Sequence, residues 1–591
     1  MSHSEATTLT HHAMLVAWGQ FAQGIGLVQQ IEAVPLHQKQ VEHSPNTKAL
    51  EFLVAILGGL PYLKDISHSA HPLDQDQAVA QAWGQRAWAD HSGVSRALAE
   101  LTMAEAQAIV QVLDEVSQPF IDHEVMLALR DQGKIVCDAD LTGRPVSNSS
   151  TTYPNVAYGH MGDAVQLGYQ AAMVSFHSPT YGRQWLSVTS YPGDTVACTL
   201  AEALVLQAEA KTGVRPLRRT DLLRQRLEKL EAQRKALHGR VAQAQQALEK
   251  AQAALRQTVQ QAHIWQETVA RLETEYQQRQ RPERPHSHLA QARATLGVYQ
   301  RRQSRREKSL AQVQRRLERE QTRLAQFEAQ RLALQQRLER FEQDNATNPW
   351  PIRAEFRLDA GFGTPENVAL LIELGYDVYT KPYGQWLKES LKRQVTDETL
   401  WTRVGNNAEM VAWPAMSVKN FPYPLDVALE RFYTGESQRF GCLIHYGTDQ
   451  VTAELPAWFR TYNARQIIEA GIKEGKQVFT LHHLKVRSEA GLFLQEHFAA
   501  FAANFVRWAA RWLVTQCPQV PDGWQEETLP GVKAQVQVMA HTSAYVSWQE
   551  QGCLLRFTEH SVFAGRTLQV VQQWAYQLVL PLFKSCVFSP I

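Results

Sequence analysis

One position recurs every seven residues from Leu223: Leu223, Leu230, Leu237, Ala244, Ala251, Thr258, Trp265 and Leu272. A partner position recurs with it: Leu227, Arg234, Val241, Leu248, Leu255, Ala262, Val269 and Tyr276. A stripe that returns every 3.5 residues over this length is covered only by another helix, so it predicts a coiled coil. Arg281-Pro-Glu-Arg-Pro-His286 then breaks the pattern with two prolines. A second run follows through Leu296, Leu310, Leu317, Leu324 and Leu338, with companions Tyr299, Val313, Phe327, Leu334 and Phe341. Two arms of similar length around a proline turn predict an antiparallel hairpin. At 1.5 Å per residue it forms a rod of about 90 Å.

The rod also separates the charge. Residues 218–342 hold 27 Lys and Arg against 14 Asp and Glu, whereas the whole chain holds 60 against 59. A net charge of +1 therefore hides a basic rod on an acidic body. This excludes a uniformly basic nucleic-acid coat but not a local basic patch. Arg301-Arg302, Arg305-Arg306 and Arg315-Arg316 form the densest cluster. DNA contact and self-association are both open as roles for it.

The remaining sequence reads as globular. With 591 residues, 44% of them hydrophobic, the chain has room for about three to six domains. Its six Cys include no C-x-x-C pair, which argues against a zinc ribbon or a thioredoxin-type site and suits a reducing cytosol. No run of 18 apolar residues predicts a membrane span, and Met1–Met14 lacks the apolar core of a signal peptide. Residues 15–130 read as helical. Within them, Ser92-Gly-Val-Ser-Arg96 leading into Ala97–Leu101 fits either a helix-turn-helix or the corner of a bundle.

From residue 134 the period is that of strands. Lys134–Leu141, Val165–Ser175 and Gln184–Ser190 are strand candidates, followed by a helix near Thr199–Ala210. Beyond the rod come a strand at Ile352–Leu358, a helix at Pro365–Leu374 and a strand at Asp377–Thr380. Short β-like runs follow at Leu425–Tyr433 and Gly441–His445, then helices from about Leu455 and Leu492. Residues 531–571 read as β-rich, and the chain ends in an apolar segment, Trp574–Phe583.

Three acidic positions stand out. Asp138 and Asp140 are two apart on a strand and share a face. Asp359 ends a second strand before a Gly-rich turn, and Glu469 falls in a helix. Tyr462, Glu469 and Lys476 are spaced by seven and Arg465 lies four before Glu469, so all four are expected on one helix face. Such a face reads either as a solvated surface with one ion pair or as part of a site. Strand-end carboxylates are costly to bury, and a divalent ion would offset that cost. Three hard oxygen ligands suit Mg²⁺ or Mn²⁺. His482-His483 reads as surface or core rather than as metal ligands, and Trp508 and Trp512 read as core.

The spacing Tyr462-x2-Arg465-x3-Glu469-x6-Lys476 resembles the signature of one large group of bacterial insertion-sequence transposases, DDE enzymes with a ribonuclease-H-like core. Arg357-Leu-Asp-Ala-Gly-Phe-Gly363 with Glu373–Lys381 resembles their second-Asp block, and Cys137-Asp-Ala-Asp-Leu-Thr-Gly143 their first. In many relatives the catalytic Asp precedes x-Thr, which selects Asp140 over Asp138. The resemblance covers about 134–212 and 350–515. It departs from the better-known relatives in carrying the coiled-coil hairpin between the two Asp blocks.

The resemblance implies that Asp140, Asp359 and Glu469 are catalytic and bind two Mg²⁺ (or Mn²⁺) ions, with Tyr462, Arg465 and Lys476 contacting DNA. It implies double-stranded DNA, both transposon ends and target, as partner, a homodimer on DNA, no membrane, and a bacterial cytoplasmic, nucleoid-associated location. The alternative is a non-catalytic DNA-binding or scaffolding protein that retains the fold. A coiled-coil ATPase is disfavoured, because no G-x-x-x-x-G-K-[ST] occurs.

The expected fold class is α/β, with a ribonuclease-H-like core interrupted by a long antiparallel coiled-coil hairpin, an N-terminal helical domain and a β-rich insertion. The expected divisions are a helical DNA-binding domain (1–130), core segments at 131–216, 347–395 and 455–520, the hairpin (217–346), the β-rich insertion (396–454) and a C-terminal extension (521–591).

Overall fold

The computed structural model describes residues 7–37, 42–435, 437–481, 483, 486–517, 520–521, 524–525 and 530–571. The apolar segment Trp574–Phe583 and His482 lie outside the described residues. The chain is a mixed α/β protein that divides into two compact units, one of residues 1–217 and 348–591 and the other of residues 218–347.

The first unit carries fourteen described strands: β1 (Thr7–Thr10), β2 (Lys134–Pro145), β3 (Ala157–Met161), β4 (Ala164–Phe176), β5 (Gln184–Pro192), β6 (Arg353–Leu358), β7 (Asp377–Thr380), β8 (Thr402–Arg403), β9 (Ala408–Met416), β10 (Leu425–Thr434), β11 (Ser437–Tyr446), β12 (Ala544–Gln549), β13 (Gly552–Phe557) and β14 (Thr567–Val571). Ten form one sheet in the order β3-β4-β2-β6-β7-β11-β10-β9-β8, with β5 also paired to β4. β2, β6 and β7 run parallel, and β4 and β5 are antiparallel to their neighbours. The strands read at 396–454 form no separate layer. β11 pairs antiparallel with β7 and so prolongs the same sheet.

The N-terminal helices share a single core with the long apolar helix Glu489–Gln516. Trp508, 1% exposed, stacks on Phe120 with ring centroids 4.3 Å apart, and Trp512 lies 5.2 Å from Phe21. β1 pairs with β12, so one small sheet joins both ends of the described chain. Residues 1–130 therefore form no body of their own. Ser92–Leu101 is not a turn followed by a helix. A single helix, His91–Glu100, includes Gly93, whose N–H is capped by the Asp90 side chain at 2.7 Å. That cap satisfies a donor that a turn would otherwise have left for the next segment.

One buried acid in this core makes a prediction. Glu51 accepts a hydrogen bond from the Ala89 N–H at 2.9 Å, and its other oxygen has no partner among the described residues. Burial pushes its carboxyl up from the ordinary 4.5 to about 9. The folded state thus keeps a proton that the unfolded chain releases above pH 4.5, so stability falls as pH rises from 4.5 towards 9. Glu51→Gln is expected to raise stability at pH 7 by about 3 kcal/mol. Denaturant unfolding should show a larger gain at pH 8 than at pH 5; equal gains would refute the assignment.

The second unit is a pair of 59-residue helices, Thr220–Gln278 and His288–Ala346. Each is about 88 Å long at 1.5 Å per residue. Arg224 pairs with Glu342, Arg234 with Glu328 and Arg293 with Glu273, which makes the helices antiparallel. Leu223, Leu237, Ala244, Ala262 and Val269 are buried on the first helix, and Leu289, Ala292, Leu334 and Phe341 on the second. Most of these are the heptad positions. Within the first unit, the Asn348 side chain donates to the Arg215 carbonyl at 3.0 Å. The chain therefore leaves and re-enters that unit at adjacent points.

Candidate active site

β2 and β6 lie side by side in a register that pairs Lys134 with Arg353, Asp138 with Arg357 and Ala139 with Leu358. Alternate residues share a face, so Asp138 and Asp140 of β2 adjoin Arg357 and Asp359 of the other chain segment. The lower rung is neutralised. Arg357 grips both oxygens of Asp138 at 2.6 and 2.7 Å, with both side chains almost fully buried, and donates to the Thr461 carbonyl at 3.0 Å. Lys134 reaches Glu355 at 2.7 Å in the same way. Asp140 lies just beyond this register and Asp359 just past the end of β6, and both are acids, so the sheet supplies neither with a cation. Like charges close together disfavour each other's ionised form.

The answer comes from outside the sheet. Arg465 reaches Asp140 at 3.0 Å and Glu469 at 2.7 Å. Asp359 accepts from the Gly361 N–H at 3.0 Å, which fixes the turn after β6. Burial pushes the Asp140 carboxyl up to about 6; the Arg465 charge opposes this, while Asp359 and Glu469 add to it. Asp140, Asp359, Arg465 and Glu469 thus form one electrostatic cluster, with the Glu469 side chain 56% exposed at its open side.

The helix carrying Glu469 is held from behind. Arg183 donates to the Ile467 carbonyl at 2.8 Å and to Glu474 at 3.1 Å. A Cβ on Gly471 would stand 2.0 Å from the Arg183 guanidinium, so only glycine allows this approach. The signature does not lie on one continuous helix. Tyr462 closes the helix Leu455–Asn463, and Arg465 precedes the helix Gln466–Gln477. Between them Arg465 N–H bonds Tyr462 O, Ile467 bonds Ala464 and Ile468 bonds Arg465, all three residues back. This tighter winding breaks the single face that a uniform 3.6-residue period predicts.

Tyr462 is buried, with its hydroxyl 3.4 Å from the Leu358 carbonyl beside Asp359. Its ring belongs to a cluster with Trp458, Tyr379, Ala428 and Leu443, so the strands added beyond β7 help to hold this helix. Lys476 donates to the Gly143 carbonyl at 3.2 Å, three residues past Asp140. The structure therefore places all six predicted site residues around the middle of β2 and the C-terminal end of β6.

Two neighbours had no predicted role. Arg357 sits inside the quoted second block, and the signal for it was a charged residue alternating with apolar ones on a strand. Lys381, the last residue of that block, stands 5.3 Å over the Tyr462 ring. Its charge opposes the burial that pushes Glu430 of β10 up to about 7.

The donor set is three hard carboxylates, the chemistry that Mg²⁺ and Mn²⁺ prefer. Among the described residues, no three acid, His or Cys side chains are drawn close enough to hold an ion as they stand. Arg465 provides the positive charge between Asp140 and Glu469 instead. The five described cysteines are unpaired, and no described helix is long and apolar enough to cross a membrane. No protein-family model matches the chain, and no curated protein matches it significantly in sequence.

Proposed function

We propose that the chain is a metal-dependent DDE transposase that binds transposon ends, cleaves DNA strands and joins them to target DNA. The observation that carries this reading is the acid cluster itself: Asp140 on one parallel strand, Asp359 just past the end of its neighbour and Glu469 on a flanking helix, with Arg465 bridging Asp140 and Glu469. Ligands in open α/β sheets bind beyond the carboxyl ends of the strands, where Asp359 stands. Three parallel strands flanked by two antiparallel ones support a ribonuclease-H-like core. The heptads together with the antiparallel pairing support a coiled-coil hairpin inserted into that core.

Asp140, Asp359 and Glu469 are the residues to hold two divalent ions, which when bound activate the attacking oxygen and stabilise the leaving one. Arg465 is paired with Asp140 and Glu469, and in this reading exchanges those partners for DNA phosphate once the carboxylate charge is otherwise met. Lys476, with burial pulling its pKa down, presents a compact cation near Asp140. Tyr462 supports the turn that carries Asp359. A reaction at two ends calls for a homodimer on DNA, in a bacterial cytoplasm.

The test is cleavage of a plasmid carrying the DNA that flanks the protein's own reading frame. Cleavage at the ends is expected with Mg²⁺, none in excess EDTA, and recovery when Mg²⁺ or Mn²⁺ is restored. Cleavage indifferent to the chelator would overturn the metal assignment.

A further inference from the structure

We propose that the middle of the helix His288–Ala346 is a docking surface for the phosphate backbone of duplex DNA, formed by Arg301, Arg305, Lys308, Arg315, Arg319 and Arg323. This surface lies outside the carboxylate site, and the inference goes beyond the catalytic reading.

Successive spacings of four, three, seven, four and four residues put the six cations on one stripe of a helix. All six are exposed, whereas Leu310, Val313, Leu317 and Leu324 are half-buried on the side facing the partner helix. Residues 301–323 hold nine Lys and Arg against three Glu. The antiparallel pairings set residues 243–265 alongside, and these add Lys250 and Arg256 against Glu249 alone.

An ordinary solvated helix face intersperses acids with bases. Both ends of this helix pair do so, through Arg224–Glu342, Arg234–Glu328 and Arg293–Glu273. Among the described residues, none of the six stripe cations is in an ion pair. Arg301 and Arg305, Arg315 and Arg319, and Arg319 and Arg323 are like charges four apart, which disfavours the helix. The pattern opposes the helix's own stability and suits an external polyanion.

The stripe points to one such partner. Its 22 residue steps span about 33 Å at 1.5 Å each, close to one turn of duplex DNA, roughly 34–36 Å. Five of the six are Arg, whose planar fork matches phosphate oxygens. Between residues 301 and 323 no large apolar side chain is exposed. A helix that lies on a membrane needs an apolar face to insert, and this helix spends its apolar face on its partner.

The test uses the full-length chain and a 30-base-pair duplex without element ends, with affinity measured across a range of KCl concentrations. In one variant Arg305, Arg315, Arg319 and Arg323 are all replaced by Gln. Each lost phosphate contact removes about 0.9 from the slope of log affinity against log salt, so the slope should flatten by about 3 to 4. Affinity in low salt should fall tenfold or more, and Lys at the same four positions should keep the slope. An unchanged slope overturns the proposal. So does a loss seen only with duplex RNA, or only with phosphatidylcholine–phosphatidylserine vesicles. Because binding is read here without cleavage, failure of this proposal leaves the carboxylate reading standing, and the reverse also holds.

Discussion

Glu469→Gln is expected to lower metal-dependent strand cleavage by about a thousandfold or more, equivalent to about 4 kcal/mol of barrier. The substitution keeps the shape of the side chain and its acceptor oxygen, so Arg465 retains a partner where it now bonds at 2.7 Å. Glu469 is more than half exposed, and losing its charge leaves no buried group unpaired. Folding and duplex binding should therefore persist. Asp359→Asn should behave alike, because the amide oxygen still accepts from the Gly361 N–H. The measurements are cleavage and gel-shift binding on the same end-bearing DNA. Wild-type cleavage by either variant would sink the three-carboxylate reading. Joint loss of cleavage and of the folded circular dichroism signal would make these residues structural.

Asp138→Ala should behave in the opposite way, costing about 3–5 kcal/mol of stability by leaving the Arg357 guanidinium buried without its counter-charge. Both members of the pair are 3% exposed or less. Replacing the two together, Asp138→Leu with Arg357→Met, should recover most of that loss, since an apolar pair of similar volume needs no charge compensation. Chemical denaturation of the single and double variants reads this directly. A single variant as stable as wild type would mean that the pair contributes nothing to the fold. The contrast with Glu469→Gln also separates two acids that are only two residues apart. Asp138 is bound into the sheet, whereas Asp140 is held by a side chain from another element.

Much of the local structure was legible in the residues. The edges of β4, β5, β6 and β7 fall within two residues of the strands read from the pattern, because alternation and turn residues are encoded locally. Where reading failed, longer-range forces had decided. β3, Ala157–Met161, was missed because it is short and half-exposed and owes its pairing to β4. The N-terminal helices read as a separate domain because nothing in their own periodicity says that Phe21 and Phe120 pack on a helix that lies nearly five hundred and nearly four hundred residues later, respectively. The signature was read as one helix face because spacing carries no sign of the tightened turn at Ala464–Arg465.

The sequence by itself determined the long helix pair, since two heptad stripes of similar length on either side of a proline break can cover each other. It also determined the order and type of the blocks bearing Asp140, Asp359 and Glu469. Only the tertiary structure decided which acids are satisfied and which are not. That depends on register: pairing Asp138 with Arg357 across two parallel strands leaves Asp140 and Asp359, just beyond the paired residues, with no cation from the sheet. A shift of one residue would have put every one of these side chains on the opposite face. Register is set by the packing of the whole sheet and its helices, so the charge balance of the site follows from the fold and not from the motif.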